Sequence, residues 1–208
     1  MVNYCGVELS SIYFDILKDR LYTAAKKSEV RRSSQTAMHW ILGNLIRSLA
    51  PVLSFTSEEA WGFLPTFKGK AESVFLAGFP SAATDFKGWR NPSLEERFAT
   101  AWQVRDVVFK SLEEARNAKI IGHPREARIE LKVPTSVAQS LEKVNEDLSR
   151  LFLVSELELK THDGEIQASV IPAPGIKCAR CWVYSRAVGK FEKHLDVCDR
   201  CMEALDKA

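Results

Sequence analysis

The chain has 208 residues, of which 46% are hydrophobic and 27% charged, and its formal net charge is +2 at neutral pH. This composition is typical of folded globular proteins and excludes a disordered tail or a collagen-like repeat. No run reaches the roughly 18 apolar residues that a membrane span needs, so the sequence predicts no contact with a membrane. The net charge is too small to indicate nucleic-acid binding by itself. Any such function therefore depends on where individual charges lie.

The first part of the chain has the apolar spacing of α-helices. Apolar side chains recur three and four residues apart over residues 9–21 and 37–49, and Pro51 marks the end of the second helix. A longer helix is predicted from about Ser93 to about Gly122. Its inward-facing side chains are expected to include Phe98, Trp102, Val108 and Leu112. Residues 65–92, which contain Pro, Gly, Ser and isolated aromatics, are predicted to form a long loop.

The sequence period changes near residue 123. Residues 127–133 alternate apolar and charged side chains, which is typical of a half-buried strand. Pro134 and Thr135 then open a helix that is predicted to extend to Leu148. Short strands are predicted near residues 151–160 and 166–171. The predicted domains are a helical domain over residues 1–122, a small α+β unit over residues 123–172 and a terminal module over residues 173–208.

The terminal module contains four of the five cysteines, arranged as two Cys-x-x-Cys pairs. They are Cys178, Cys181, Cys198 and Cys201. Sixteen residues separate the two pairs, and this spacing allows four thiolates to surround a zinc ion tetrahedrally at ~2.3 Å per sulfur. Four protein ligands leave no open position, so we expect one structural Zn²⁺. The ion would supply most of the folding energy of a segment too short to build its own apolar core.

Other interpretations of the cysteine pairs stay open at this point. Two disulfides would require an oxidising compartment, whereas the first residues contain no signal peptide and favour a cytoplasmic location. The same four ligands would hold iron in a rubredoxin-like electron carrier, although glycines usually follow the knuckles of that fold. His194 could replace one of the thiolates as a ligand.

Two sets of side chains are candidates for binding RNA. Trp182 and Arg180, an aromatic and a guanidinium at a metal knuckle, would form a stacking platform for an unpaired base. Alternatively, Trp182 covers the metal and packs on the α+β unit. A basic cluster between the first two helices would contact phosphates, or is simply a solvated helix start. The cluster consists of Lys26, Lys27, Arg31 and Arg32.

Several segments resemble the anticodon-binding region of bacterial isoleucyl-tRNA synthetases. These segments are residues 9–20, 22–23, 31–37, 50–56 and 59–61. The run from Cys178 to Trp182, together with the later cysteine pair, resembles the zinc module of the same enzymes. The resemblance implies a mainly α chain, in which a helical-bundle anticodon-binding domain precedes a small α+β unit and a four-cysteine zinc module.

The resemblance also implies that the chain is a carboxyl-terminal part of a longer class I enzyme, which joins isoleucine to tRNA(Ile) with ATP. The complete H-I-G-H and K-M-S-K-S signatures do not occur, so this part is expected to be non-catalytic alone. Absent amino-terminal catalytic and editing domains would bind ATP and carry out the reaction. The expected RNA contacts are Arg31, Arg32, Lys18, Arg20, Arg180 and Trp182. A free-standing zinc-ribbon interaction module is the alternative.

Overall fold

The predicted mainly α architecture is confirmed by the computed structural model, which describes residues 1–144 and 148–207. The chain divides into two units. The larger unit contains residues 1–28 and the chain from Pro92 onward, and the smaller unit contains residues 29–91. Within the described ranges, no helix combines the length and the apolar character that a membrane crossing requires.

Two helices and a long loop form the smaller unit. Helix α2 (Glu29–Leu49) ends just before Pro51, as predicted, because proline cannot continue a helix. Helix α3 is Ser54–Phe63. The loop that follows contains a short 3₁₀ turn, Val74–Leu76, whose first residue is buried. The core of this unit is formed by Ile46, Ala50, Trp61, Leu64 and Val74.

The larger unit begins with a π-helical segment, Tyr4–Phe14, that continues directly into helix α1 (Asp15–Thr23). Helix α4 (Pro92–Asn117) provides the long predicted helix. Val108 and Leu112 are buried as predicted, but Trp102 is 39% exposed, so that part of the prediction is wrong. The buried stripe of α4 runs through Ala101, and the next residue along a helix points about 100° away from it.

A three-stranded sheet forms the α+β part of the larger unit. Strand β1 (Ala127–Val133) lies in the centre, parallel to β2 (Glu156–Thr161) and antiparallel to β3 (Gln167–Pro172). Alternate side chains of β1 are buried, as the apolar–charged alternation predicts. The largest fully buried core side chains are Phe152, Ile129, Leu131, Leu141, Val104, Val108 and Val133.

Two short helices lie between β1 and β2 in the chain. Helix α5 is Thr135–Glu142 and helix α6 is Leu148–Leu151. The sequence predicts one helix as far as Leu148, but α5 ends at Glu142, so that extent is wrong; residues 145–147 lie outside the described residues. Strand β2 begins at Glu156 rather than near residue 151, because α6 occupies the start of that stretch.

The terminal module has little regular structure. Strand β4 (Ile176–Lys177) pairs antiparallel with β5 (Tyr184–Ser185), and helix α7 (Asp199–Asp206) follows. Gly175 has φ +99°, and a Cβ there would lie 2.4 Å from the backbone carbon of Ser185. Only glycine fits this close approach between the two strands. The hairpin thus holds the first cysteine pair at its closed end.

Candidate metal centre and nucleic-acid interface

The four cysteines of the terminal module lie together and are all buried. Their sulfur atoms all lie within 4.8 Å of one another, and the Sγ atoms of Cys181 and Cys198 are 3.6 Å apart. A zinc tetrahedron with ~2.3 Å bonds has sulfur–sulfur edges of about 3.8 Å. All five cysteines of the chain are free thiols, so no disulfide competes for these positions. The distances therefore fit a four-coordinate metal site.

The ionisation of these thiols also fits a cation. Hydrogen bonds from the Cys198 and Cys201 thiols lower the pKa of Cys181. The same interaction with Cys181 raises the pKa of Cys198 to about 11, and it also raises the pKa of Cys201. One thiolate thus forms readily, while further thiolates at this distance repel it. A dication compensates that repulsion, and zinc would supply it as a structural ion with no open coordination position.

The first cysteine knuckle is a tight turn closed by backbone hydrogen bonds. The Trp182 N–H donates to the Cys178 carbonyl oxygen over 3.0 Å, and the Cys178 N–H donates to the Val183 carbonyl oxygen over 2.9 Å. Trp182 has φ +64°, in the left-handed region that glycine occupies most easily. A bulky residue there costs roughly 1–2 kcal/mol. Such an outlier is a reason to look for a function of the side chain.

A cleft of about 500 Å³ lies beside this knuckle, within the larger unit. One wall is α1, with Lys18 and Tyr22, and the facing wall is the knuckle, with Arg180 and Trp182. Tyr22 is 75% exposed and Trp182 is 59% exposed. Trp182 thus presents much of its surface to solvent. The aromatic side chains that line the cleft are Tyr22, Phe109 and Trp182.

The cleft is lined by three cationic side chains and two carboxylates, namely Lys18, Arg125, Arg180, Asp15 and Asp19. Lys177 Nζ lies 5.4 Å from the centroid of the Trp182 ring, and Lys18 Nζ lies 2.7 Å from a carboxylate oxygen of Asp15. Burial and the nearby Arg125 charge lower the pKa of His123, which also lines the cleft, so this imidazole is neutral at pH 7. The cleft therefore suits an aromatic ligand that carries negative charge, such as a nucleotide.

The six predicted RNA contacts are distributed over both units. The cleft brings together Lys18, Arg180 and Trp182. Arg20 lies on α1, outside the set of residues that lines the cleft. Arg31 and Arg32 lie near the start of α2 in the smaller unit, the first half-buried and the second exposed. Contact of each of these side chains with RNA stays a prediction.

Sequence reasoning missed an ion pair that joins the second knuckle to α1. Both terminal nitrogens of Arg200 donate to the Asp19 carboxylate, and the Nη2–Oδ1 distance is 2.7 Å. Burial alone would raise the pKa of Asp19, but hydrogen bonds from Arg200 and the charges of Arg125 and Arg150 bring it below the ordinary value. The position of Arg200, directly before the last cysteine, matches that of Arg180 in the first knuckle and was a usable signal.

Comparisons with known proteins agree with this geometry. Residues 1–131 match the family model described as the anticodon-binding domain of tRNA ligase. Residues 175–204 match the zinc finger found in FPG and IleRS, and this range contains the four clustered cysteines. The chain is thus similar to known families at both the cleft helix and the metal centre.

Curated relatives are similar along almost the whole chain. The isoleucine–tRNA ligase of Syntrophotalea carbinolica is 44% identical over 98% of this chain. The isoleucine–tRNA ligases of Fervidobacterium nodosum and Persephonella marina are 42% and 41% identical over 98% and 97% of it. The chain spans only 22–23% of the length of these relatives. The resemblance stated from the sequence is confirmed, and the chain belongs to the family of anticodon-binding domains of tRNA ligases.

Proposed function

We propose that this chain is the anticodon-binding part of an isoleucine–tRNA ligase, which holds the anticodon stem-loop of tRNA(Ile). Binding the stem-loop in one orientation lets the acceptor end reach a catalytic domain elsewhere in the enzyme, which reduces the entropic cost of the reaction. That domain would use ATP to activate isoleucine, and the enzyme would act in the cytoplasm. The domain divisions 1–122, 123–172 and 173–208 belong to the same proposal.

One observation carries the proposal: Trp182 is exposed at a cleft that Arg180 and Lys18 also line, although its backbone conformation favours glycine. If Trp182 only closed the turn, glycine would do so at lower cost. An unpaired base that stacks on an aromatic side chain gains about 1–3 kcal/mol, which offsets the strain of the turn. Tyr22 on the facing wall provides a second aromatic surface for the same or a neighbouring base.

The zinc-loaded chain and its Trp182→Gly variant would be titrated with a fluorescently labelled anticodon stem-loop of tRNA(Ile). Glycine removes the ring and relieves the backbone, so we expect stability and zinc content to be kept. Affinity should fall about 5- to 150-fold, the equivalent of 1–3 kcal/mol. Trp182→Phe should recover part of the loss. Leu195→Ala is the matched control, because Leu195 is 62% exposed in the same module and does not line the cleft.

Two further titrations distinguish the proposal from general charge attraction and from other functions. Duplex DNA of equal length and the stem-loop of another tRNA should bind more weakly, and the preference should persist at moderate salt. Equal affinity for Trp182→Gly and the unsubstituted chain would refute the stacking role. A preference for duplex DNA would indicate the zinc-ribbon interaction module, and iron instead of zinc in the purified protein would indicate the electron carrier.

A further inference from the structure

Each Cys-x-x-Cys pair carries an arginine directly before its second cysteine, and both arginines bind the same helix. Arg180 belongs to the first pair and Arg200 to the second, and both reach α1. Their partners on α1 lie within its last five residues, on the wall of the cleft. A metal site alone requires neither arginine, so their shared target indicates a second task.

Arg180 caps the carboxyl end of α1. Its Nη1 donates to the Thr23 carbonyl oxygen, and its Nη2 donates to the Tyr22 carbonyl oxygen over 3.4 Å. The last four carbonyls of a helix have no partner within the helix, and that end carries partial negative charge. A guanidinium supplied from 157 residues further along the chain satisfies two of these carbonyls. It also leaves other N–H donors of its five for a ligand in the cleft.

Arg200 joins α1 to the metal centre itself. It binds the Asp19 carboxylate with both terminal nitrogens, and the Asp19 side chain is only 3% exposed. Thr23 Oγ1 in turn donates to the Asp19 carbonyl oxygen over 2.7 Å. Because Arg200 directly precedes Cys201 in the chain, these hydrogen bonds link the cysteine cluster to the last turn of α1.

We propose that Arg180 and Arg200 form a clamp through which the metal centre holds the last turn of α1 in place. The clamp fixes the position of Tyr22 opposite Trp182, so an ion that touches no RNA sets the geometry of the RNA-binding cleft. Both arginines act as positioning residues. The importance of the clamp for RNA rests on the proposed function, whereas its effect on α1 does not.

Hydrogen–deuterium exchange of the zinc-loaded 208-residue chain tests the clamp directly. The double variant Arg180→Gln/Arg200→Gln removes both arginines, and Asp19→Asn removes one partner without changing the metal module. Arg186→Gln is the matched control, since Arg186 lies in the same module, is exposed and approaches Glu156 no closer than 4.0 Å. Zinc content is measured for every variant, and peptides from β1 report whether the sheet stays folded.

We expect exchange in peptides covering residues 19–24 to rise at least about tenfold in the double variant and in Asp19→Asn, because hydrogen bonds to charged groups are lost. Zinc should stay bound, and β1 and the Arg186→Gln chain should exchange as before. Unchanged exchange at residues 19–24 in Asp19→Asn and in the double variant would overturn the clamp. If the double variant loses zinc, the exchange at residues 19–24 in Asp19→Asn alone tests the clamp.

Stem-loop titration of the same variants separates this proposal from the proposed function. With the clamp and RNA binding both correct, affinity falls in the double variant and in Asp19→Asn but not in Arg186→Gln. If no variant, including the unsubstituted chain, binds the stem-loop, the proposed function fails while the exchange result still establishes the clamp. If exchange is unchanged but the stem-loop binds, the clamp fails and the proposed function stands.

Discussion

Two stretches of the chain have similar amino-acid composition but are held in place by different interactions. Residues 64–91 and residues 173–207 both contain glycines, at least one proline and scattered apolar residues, and both have little regular structure. In the first stretch, neighbouring helices provide the anchors. Trp61 is 3% exposed and its Nε1 donates to the Ala71 carbonyl oxygen, while Glu58 accepts hydrogen bonds from Ser73 and Val74.

The second stretch is ordered around its own cysteines. Its buried cluster consists of the four cysteines with Val188 and Val197, and the partly buried Val183, Met202 and Leu205 pack against it. So small an apolar cluster cannot offset the entropy of ordering some thirty residues, at roughly 1–2 kcal/mol each for the backbone alone. The difference teaches that a loop can be ordered either by packing on helices or by sulfur ligands, and that only the second kind depends on an ion.

Removal of the metal should give the largest difference in protection between the two stretches. With a strong chelator, or in Cys201→Ser, we expect residues 176–201 to lose their protection against proteolysis and hydrogen exchange, because structural zinc contributes on the order of 10 kcal/mol to such modules. Residues 64–91 should stay protected. Limited proteolysis with mass spectrometry measures both at once, and added zinc should restore the chelated chain. A module that stays protected after verified metal loss would contradict the comparison.

Substitution of the tryptophan anchor should produce the opposite pattern. Trp61→Ala is expected to lower the free energy of unfolding of the smaller unit by about 3–5 kcal/mol, since it empties a buried site. Zinc content should not change. The control is Phe63→Ala on the same helix, where the side chain is 82% exposed and truncation should cost about 0.5 kcal/mol or less. Denaturant titration, monitored by hydrogen exchange in α3, gives the change in the free energy of unfolding for each variant. Similar losses for the two variants would refute the anchoring role.

The sequence predicted the parts of the fold and site that follow from short-range rules. Cysteine spacing identified the four sulfurs that the structure brings together, and apolar alternation identified β1. The end of α2 followed from Pro51. The position of Trp102 was wrong because one residue of helical phase decides whether a side chain is buried, and the sequence alone leaves that phase ambiguous.

The sequence could not predict the cleft, for a different reason. Its walls come from residues near 20 and near 180, and no local pattern indicates that these segments meet. Asp19 and Arg200 belong to this class, because an ion pair across 181 residues leaves no periodic trace. The repeated arginine within the two knuckles was visible, but its target on α1 was not.

The smallest expected effect on stability concerns an ion pair that supports the first stretch, residues 64–91. Arg47 Nη1 lies 2.5 Å from Asp85 Oδ1, and the Ser81 N–H donates to Asp85 Oδ2 over 2.9 Å. The hydrogen bonds from Arg47 and Ser81 lower the pKa of Asp85 to about 2. A carboxylate with a lowered pKa stabilises the folded state above the unfolded pKa of about 3.9, and that stability is lost as the pH falls toward 2.

Asp85→Asn should therefore destabilise the smaller unit by about 1 kcal/mol at pH 7, the usual contribution of one partly exposed charged hydrogen-bonded pair. The difference from the unsubstituted chain should shrink between about pH 5 and pH 2, where the native carboxylate itself becomes protonated. Thermal unfolding at a series of pH values measures this, with Glu72→Gln in the same loop as the control. A difference that stays constant down to pH 2 would mean that packing of Asp85, and not its charge, holds the loop. The metal module should show no response to either substitution, since both substituted residues belong to the smaller unit and the module belongs to the larger one.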